Sequence, residues 1–385
     1  MRFADNRNKI GKYIPAVVFL IFIYGMALWF IFSPKPDYSS SEKRYLQKFP
    51  EVTAEKLLSG DFGSEFETFF ADRFPQRNTW VGLNAYTALA VGNNGASGVY
   101  NCKNGYLINK PVSTENNLDK NIGAVADFAK SIDTPTTVML VPSTGYIVDD
   151  VLPTFHDKYN DDEDISKIFS TLSKDKIGFV DLRERFKSEY KNGSQLYYKT
   201  DHHWTTKGAY TGYQELCKAL GITPIDDSTL KKDSYPDFYG TTYSSSGFWL
   251  TPPDNIEIWN NPKNSDRNIS VKITEGANIK TSGSMYFTDH LKEDDKYPVF
   301  IDGNHALTEI TNTNAKNGTI LLIKDSFSHS LAPFLAENYS KVVLVDLRYY
   351  KESVSDLVTT YNPEQVVVLY GIDNLATDTD IVWLK

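Results

Sequence analysis

The chain has 385 residues, a net charge of −9 from 40 Lys and Arg against 49 Asp and Glu, and only two cysteines, Cys102 and Cys217. The acidic balance excludes a surface that tracks nucleic-acid phosphates, which needs clustered Lys and Arg, and weakly disfavours an acidic polymer as partner. Two cysteines are too few for a disulfide scaffold or a zinc cluster; outside the cytoplasm they could form one bridge, which the sequence does not decide.

The first feature along the chain is Tyr13 to Phe32, a 20-residue stretch without a charge. About 20 apolar residues are needed to cross a bilayer. Arg2, Arg7, Lys9 and Lys12 precede it, so the positive-inside rule puts residues 1–12 in the cytoplasm and everything after Phe32 outside. A cleaved signal peptide competes with this reading. The length of the run and the lack of a small-x-small site before Ser33 and Pro34 favour an uncleaved, single-pass anchor in the cell membrane.

Residues 33–95 read as a juxtamembrane region. A Pro- and Ser-rich spacer, Ser33 to Lys43, leads to one or two helices over Ala54 to Phe70, interrupted by Gly60 and Gly63, and then a helix over Thr79 to Ala90. Residues 96–385 read as an α/β domain. It opens with a hairpin, Gly98 to Ile108, turned at Lys103-Asn104-Gly105. Helices are expected at Leu118 to Ser131, Ile165 to Ser173, Leu182 to Tyr190, Thr206 to Leu220, Ser328 to Asn338 and Glu352 to Thr359. Strands are expected at Thr136 to Val141, Ile177 to Val180, Thr319 to Ile323, Lys341 to Leu347 and Gln365 to Tyr370. Strands and helices alternating at these lengths imply a mostly parallel sheet covered on both faces. A stretch over about 227–317, rich in Ser, Thr, Asn, Gly, Pro and aromatics, breaks the rhythm and reads as a loop-and-strand insertion, either surface elaboration or a lid. The acidic run Asp161-Asp162-Glu163-Asp164 reads as a solvated helix start.

Chemistry concentrates at Thr200-Asp201-His202-His203-Trp204-Thr205 and Lys324-Asp325-Ser326-Phe327. A serine is a poor nucleophile until an imidazole takes its proton, and the imidazole works best when a carboxylate fixes its tautomer. Asp201 and His203, two residues apart in extended chain, project to one side. Thr205 is placed to cap the following helix. Ser326 falls on a strand-to-helix turn, where free backbone N–H groups can stabilise an oxyanion. The bland alternative is an ordinary Asp-Ser helix cap. Asp201, His202 and His203 could be argued as a metal cluster, but that leaves Ser326 without a role, and no metal or other cofactor is expected. His156, His290, His305 and His329 lack ligand spacing and read as surface or satisfied core residues. Trp204 either packs beneath the imidazole, the favoured reading, or meets a sugar. Asp72, Arg73 and Arg77 read as a structural ion pair.

The Asp201-His202-His203-Trp204 signature, with Ala71-Asp72-Arg73-Phe74-Pro75, Gly303-Asn304-His305-Ala306-Leu307 and the Asp325-Ser326 turn, resembles the DHHW protein family. That family is similar to the SGNH-hydrolase-like alginate O-acetylation proteins AlgJ and AlgX. The resemblance implies a flavodoxin-like three-layer sandwich, with Ser326 as nucleophile, His203 as base and Asp201 as its orienter. SGNH enzymes present Gly-Asp-Ser where this chain has Lys324-Asp325-Ser326. It also implies Gly303 and Asn304 as extra oxyanion donors, with Phe327 and Trp204 as neighbours of the substrate. The implied activity is O-acyl transfer to an exopolysaccharide or cell-wall glycan, the acyl group being supplied by a multispanning MBOAT-type membrane acyltransferase. A carbohydrate esterase and a silent glycan-binding or scaffold protein are the alternatives.

Overall fold

The computed structural model describes residues 2–112 and 117–384, with side chains from residue 12 onward, so Arg2, Arg7 and Lys9 lie outside the described side chains. The chain divides into two compact units, Met1–Tyr86 and Thr87–Lys385.

In the first unit, Arg2–Phe32 is one helix. Its segment Lys12–Phe32 has a mean hydropathy of 2.4 and none of it is buried. It is long and apolar enough to cross a membrane and is equally compatible with a signal sequence. Gly60, at φ +88°, divides the next helical stretch into Ala54–Ser59 and Asp61–Asp72. The expected single ion pair is a wider staple. Buried Arg73 donates to the carbonyls of Lys35 (2.8 Å) and Gln47 (3.0 Å) and to Asp37 (2.9 Å), while Arg44 grips Asp72 through two bonds of 2.9 and 2.6 Å. The Pro- and Ser-rich segment is therefore tied down rather than a free spacer.

The second unit is an α/β fold built on a mainly parallel sheet of eight strands. In chain order these are β1 (Thr136–Val141), β2 (Gly178–Asp181), β3 (Ile269–Glu275), β4 (Asn278–Ser282), β5 (Leu307–Asn312), β6 (Asn317–Lys324), β7 (Tyr339–Val345) and β8 (Gln365–Gly371). Their spatial order is β4-β3-β5-β7-β6-β8-β1-β2. The run β7-β6-β8-β1-β2 is parallel, and β5, β3 and β4 extend it antiparallel.

Continuous apolar strands arise because the parallel part is buried on both faces. Met139, Ile320, Leu322, Val342, Leu344 and Leu369 face one core, with Trp204, Tyr213 and Phe334. Their alternate neighbours Val138, Leu321, Ile323, Val343 and Val368 face another, with Ile122, Ile165 and Leu357. Helices α1 (Leu118–Ser131), α2 (Asp161–Lys174) and α5 (Val354–Tyr361) cover the second face; α3 (Thr206–Leu220) and α4 (Ser328–Leu335) cover the first. The result is three layers. Helix α3 begins and ends as its sequence dictates: the Thr205 hydroxyl accepts the Gly208 N–H at 3.1 Å, and Gly221 adopts the left-handed conformation. The hairpin turns at Asn104 and Gly105, both at positive φ (58° and 78°), and pairs Tyr100 with Ile108.

The loop-and-strand insertion joins the sheet: β3, β4 and β5 extend it, and Ile269, Val271 and Ile273 point inward while Ser270, Lys272 and Thr274 alternate with them. Two expectations need correction. Helix α4 stops at Leu335 rather than Asn338. Asp161 is not solvated. It is 3% exposed, and its carboxylate accepts the Ser143 N–H at 2.7 Å. Cys102 and Cys217 are separate buried free thiols.

Candidate active site

The site forms where β6 ends. The chain leaves β1 toward β2 on one side, and leaves β6 toward β7 on the other, so a crevice opens at the carboxyl ends of the strands between them. Ser326 lies on the turn from β6 into α4. His203 approaches from the loop before α3, and its Nε2 stands 2.7 Å from Ser326 Oγ. Its Nδ1 lies 2.5 Å from Asp201 Oδ1, which also accepts the His203 backbone N–H at 2.8 Å. With Nδ1 donating to the carboxylate, Nε2 is the lone-pair nitrogen that accepts the serine proton. The structure thus brings Ser326, His203 and Asp201 into one hydrogen-bonded chain.

Asp201 is fixed from its far side as well. Its Oδ2 accepts the Thr241 N–H at 2.6 Å and the Thr241 hydroxyl at 3.1 Å. Gly240 allows this approach, because a Cβ there would lie 2.1 Å from Asp201 Cβ. Burial alone would push the Asp201 carboxyl up. The adjoining His203 and His202 imidazoles and the donated hydrogen bonds outweigh it and hold Asp201 well below the usual carboxylate range. His202 points elsewhere, its Nδ1 2.6 Å from Thr241 Oγ1, and burial followed by the neighbouring His203 pushes it down to about 4. Asp201, His202 and His203 bring one ligand atom each within 4.8 Å of one another, which makes them the one metal-capable group among the described residues. Both His203 nitrogens and His202 Nδ1 are already engaged, however.

Aromatic rings set the imidazole's plane. Tyr297 stacks on His203 with centroids 4.0 Å apart and 10° between planes, and its hydroxyl donates to the Ser326 carbonyl at 3.1 Å. Phe327 meets His203 edge-on at 5.1 Å. Trp204 is fully buried and donates to the Phe327 carbonyl (3.0 Å) and to Ser330 Oγ (2.9 Å). It ties the base-bearing loop to the turn that carries Ser326 and has no exposed face.

The supply of oxyanion donors differs from expectation. The Phe327 N–H goes to Asp325 Oδ1 (2.9 Å), the Ser328 N–H to the Asp325 carbonyl and the His329 N–H to the Ser326 carbonyl. Ser326's own N–H is the turn amide without a partner among the described residues. Gly303 cannot contribute its N–H, which donates to the Phe300 carbonyl at 3.1 Å within a turn at φ +85°. Asn304 is exposed, its Oδ1 accepts from Arg348 at 2.8 Å, and it makes no hydrogen bond to the triad.

Lys324 fills the place of the missing glycine without entering the site. Its ammonium is buried behind the turn, 2.8 Å from His329 Nε2 and 2.9 Å from Asp346 Oδ2, and Asp346 also pairs with Arg348 at 2.6 Å. Burial pushes Lys324 down against the pull of Asp346. Asp325 is held by the N–H of Gly371 (2.8 Å), the last residue of β8, and by Asn374 Nδ2 (2.7 Å), just beyond it. Sequence reasoning missed Tyr297, Thr241, Asn374 and the Lys324 cluster. Only Asn374 carried a signal, being three residues past the end of a central strand, where site residues of such sheets gather.

The DHHW protein family matches residues 99–345, well over half of the chain, with Asp201-His202-His203-Trp204 inside the matched span. The chain belongs to the DHHW family. A DHHW family protein from Eubacterium siraeum superposes with a TM-score of 0.63 at 17% identity, over 75% of this chain and 95% of that one. Bacillus cereus PatB1 superposes with a TM-score of 0.62 at 21% identity, over 73% of this chain and 98% of that one. The O-acetyltransferase domain of Pseudomonas putida AlgJ aligns at a TM-score of 0.47 and 15% identity, over 75% and 95% of the two chains. At these identities the first two likenesses establish a shared fold. None of the curated proteins matches this DHHW protein by sequence.

Proposed function

We propose that this DHHW protein is an O-acyltransferase, an O-acetyltransferase in particular, working outside the cytoplasm on a glycan of the cell envelope. The observation that carries the proposal is the unbroken chain Ser326 Oγ to His203 Nε2 (2.7 Å) and His203 Nδ1 to Asp201 Oδ1 (2.5 Å). His203 takes the Ser326 proton as Oγ attacks the acyl carbonyl of the donor. The tetrahedral oxyanion forms within reach of the Ser326 N–H, collapses to acyl-Ser326, and the donor's leaving group departs with the proton from His203. A sugar hydroxyl then gives its proton to His203 and attacks the acyl-serine, and Ser326 regains its hydrogen as the sugar ester leaves. Asp201 stays ionised throughout and stabilises the imidazolium.

The fold shared with PatB1, which has been captured with a sulfonyl adduct, supports the reading of a covalently acting site. The apolar helix Lys12–Phe32 supports a single-pass anchor with the catalytic unit outside. Acyl thioesters are cytoplasmic, so the acyl group must reach Ser326 through a partner that spans the membrane several times, of the MBOAT kind. Ser326 is only 9% exposed, which is the observation favouring a non-catalytic scaffold instead.

One experiment separates these readings. Full-length protein in detergent is given a chromogenic acetyl ester, with and without oligosaccharide. Transfer predicts turnover that disappears in Ser326→Ala and quickens with a hydroxyl acceptor, with acetylated sugar as product. An esterase gives Ser326-dependent turnover indifferent to sugar. A folded protein with no Ser326-dependent turnover is a scaffold.

A further inference from the structure

A small cleft of about 50 Å³, opening to solvent, lies beside the triad at the ends of β1 and β8. Phe327 and His202, each adjacent in sequence to a triad member, wall one side. Ser143, Asp373 and Asn374 wall the other, and Thr242 completes it. It lies in the crevice outside the carboxyl ends of the strands where the chain's direction diverges, the place where open α/β sheets bind ligands.

Its chemistry is lopsided. The Ser143 hydroxyl donates to Asp373 Oδ1 at 3.1 Å, and the Ser143 N–H donates to Asp161 Oδ1 at 2.7 Å, so one serine bridges two carboxyl groups. No Lys or Arg lines the cleft among the described residues, and its single histidine, His202, is kept neutral by burial. Carboxylates withdrawn from water without a cation are costly. Burial, followed by the repulsion of Asp161, pushes Asp373 up to about 7. A second, independent feature points the same way. Thr242 is 1% exposed, lines the cleft, and its hydroxyl has no hydrogen-bond partner. A side chain of this kind costs free energy until something bonds to it.

An anionic sugar would bring a further acid into a cleft that holds Asp373 and no Lys or Arg among the described residues. A neutral sugar could satisfy Thr242 but leaves Asp373 uncompensated. We propose that the cleft is the acceptor subsite and that it seats a sugar unit bearing a protonated primary amine, with Asp373 receiving the ammonium and Thr242 bonding a neighbouring hydroxyl. The role as acceptor subsite rests on the acyl-transfer reading; the preference for an amine does not.

The test is calorimetric binding to full-length protein in detergent micelles at a pH of about 7, where Asp373, pushed up to about 7, can give up its proton while the amines still hold theirs. The ligands are a glucosamine tetramer, its fully N-acetylated counterpart and a galacturonate tetramer, and Ser326-dependent ester cleavage is measured on the same samples. The glucosamine tetramer binds about tenfold more tightly than the N-acetylated one, as a charge-assisted bond implies, and the galacturonate tetramer does not compete. Asp373→Asn brings the ratio to about one. Because that ratio compares two ligands on one protein, a smaller folded fraction in the variant cancels. Equal or tighter binding of the acetylated or uronate tetramer, or an unchanged ratio in Asp373→Asn, overturns the proposal. Amine preference without ester cleavage upholds the subsite and sinks the acyl-transfer reading; cleavage without amine preference does the reverse.

Discussion

Asp201 and Asp373 are both aspartates withdrawn into the same crevice, yet they are driven in opposite directions. Asp201 has an imidazole against one oxygen and the Thr241 amide and hydroxyl against the other, and is held well below the usual carboxylate range. Asp373 has one hydroxyl and a second acid for company, and burial lifts it to about 7. Burial is common to both; the partner decides the charge. At the triad the hydrogen-bond donors that hold the carboxylate are built into the protein, whereas at the cleft's far end a single hydroxyl stands in for them, and a ligand can supply the rest.

The comparison can be broken most violently at the triad. Ser326→Ala removes the nucleophile and is expected to lower ester turnover roughly 10⁴-fold or more, without loss of cooperative unfolding, since the hydroxyl supports no packing. Asp201→Asn preserves the shape but removes the charge that sets the His203 tautomer. It is expected to cost about 10³- to 10⁴-fold in kcat while leaving the affinity for the acyl ester nearly unchanged. If Asp201→Asn retained wild-type kcat, the triad reading of the carboxylate would fail.

The cation behind the nucleophile gives a smaller effect. Lys324→Met leaves His329 Nε2 without its donor and Asp346 with Arg348 alone, and a stability loss of about 3 kcal/mol in urea unfolding is expected. Unchanged stability would show that Arg348 alone compensates Asp346.

The smallest effect sharpens the comparison directly. A carboxyl whose folded value lies above its unfolded value holds its proton better when folded. Its stabilising contribution is complete below about pH 4 and is lost as pH rises to about 7. Asp161, raised to about 6 by burial, adds to the same window, so the two titrate as a pair. Asp373→Asn escapes its share of that loss. The variant is expected to match the wild type near pH 4 and to be more stable by about 2 kcal/mol above pH 7. Parallel stability curves for the two proteins would show that Asp373 already has a compensating partner.

What the sequence revealed follows the range of the physics involved. The triad was legible because Asp201 and His203 are two residues apart and because Ser326 sits between an apolar strand and a helix, both local patterns. Helix α3 was legible to the residue through its Thr205 cap and Gly221 stop. The antiparallel strand Ile269–Glu275 carried strict alternation and could have been read, but the polar, helix-poor stretch around it masked the pattern. Tyr297 lies in an aromatic-rich segment with no period, and its stacking on His203 comes from a contact across nearly a hundred residues of chain. No spacing rule reports that. Gly303 and Asn304 enter as oxyanion donors only through the family resemblance, and the turn they lie in uses the Gly303 N–H for itself. Asp161 looked like one of four solvated acids at a helix start. Only the fold showed that the first of the four turns inward to Ser143.

The central claim, that Ser326 is an acyl-carrying nucleophile, is tested most directly by intact-protein mass spectrometry after brief exposure of the full-length protein to an activated acetyl ester. The account predicts a single added acetyl group that maps to Ser326, is absent in Ser326→Ala, and is discharged when a sugar acceptor is added. A folded wild-type protein that gains no acetyl group on Ser326, or one acetylated equally in Ser326→Ala, would contradict it.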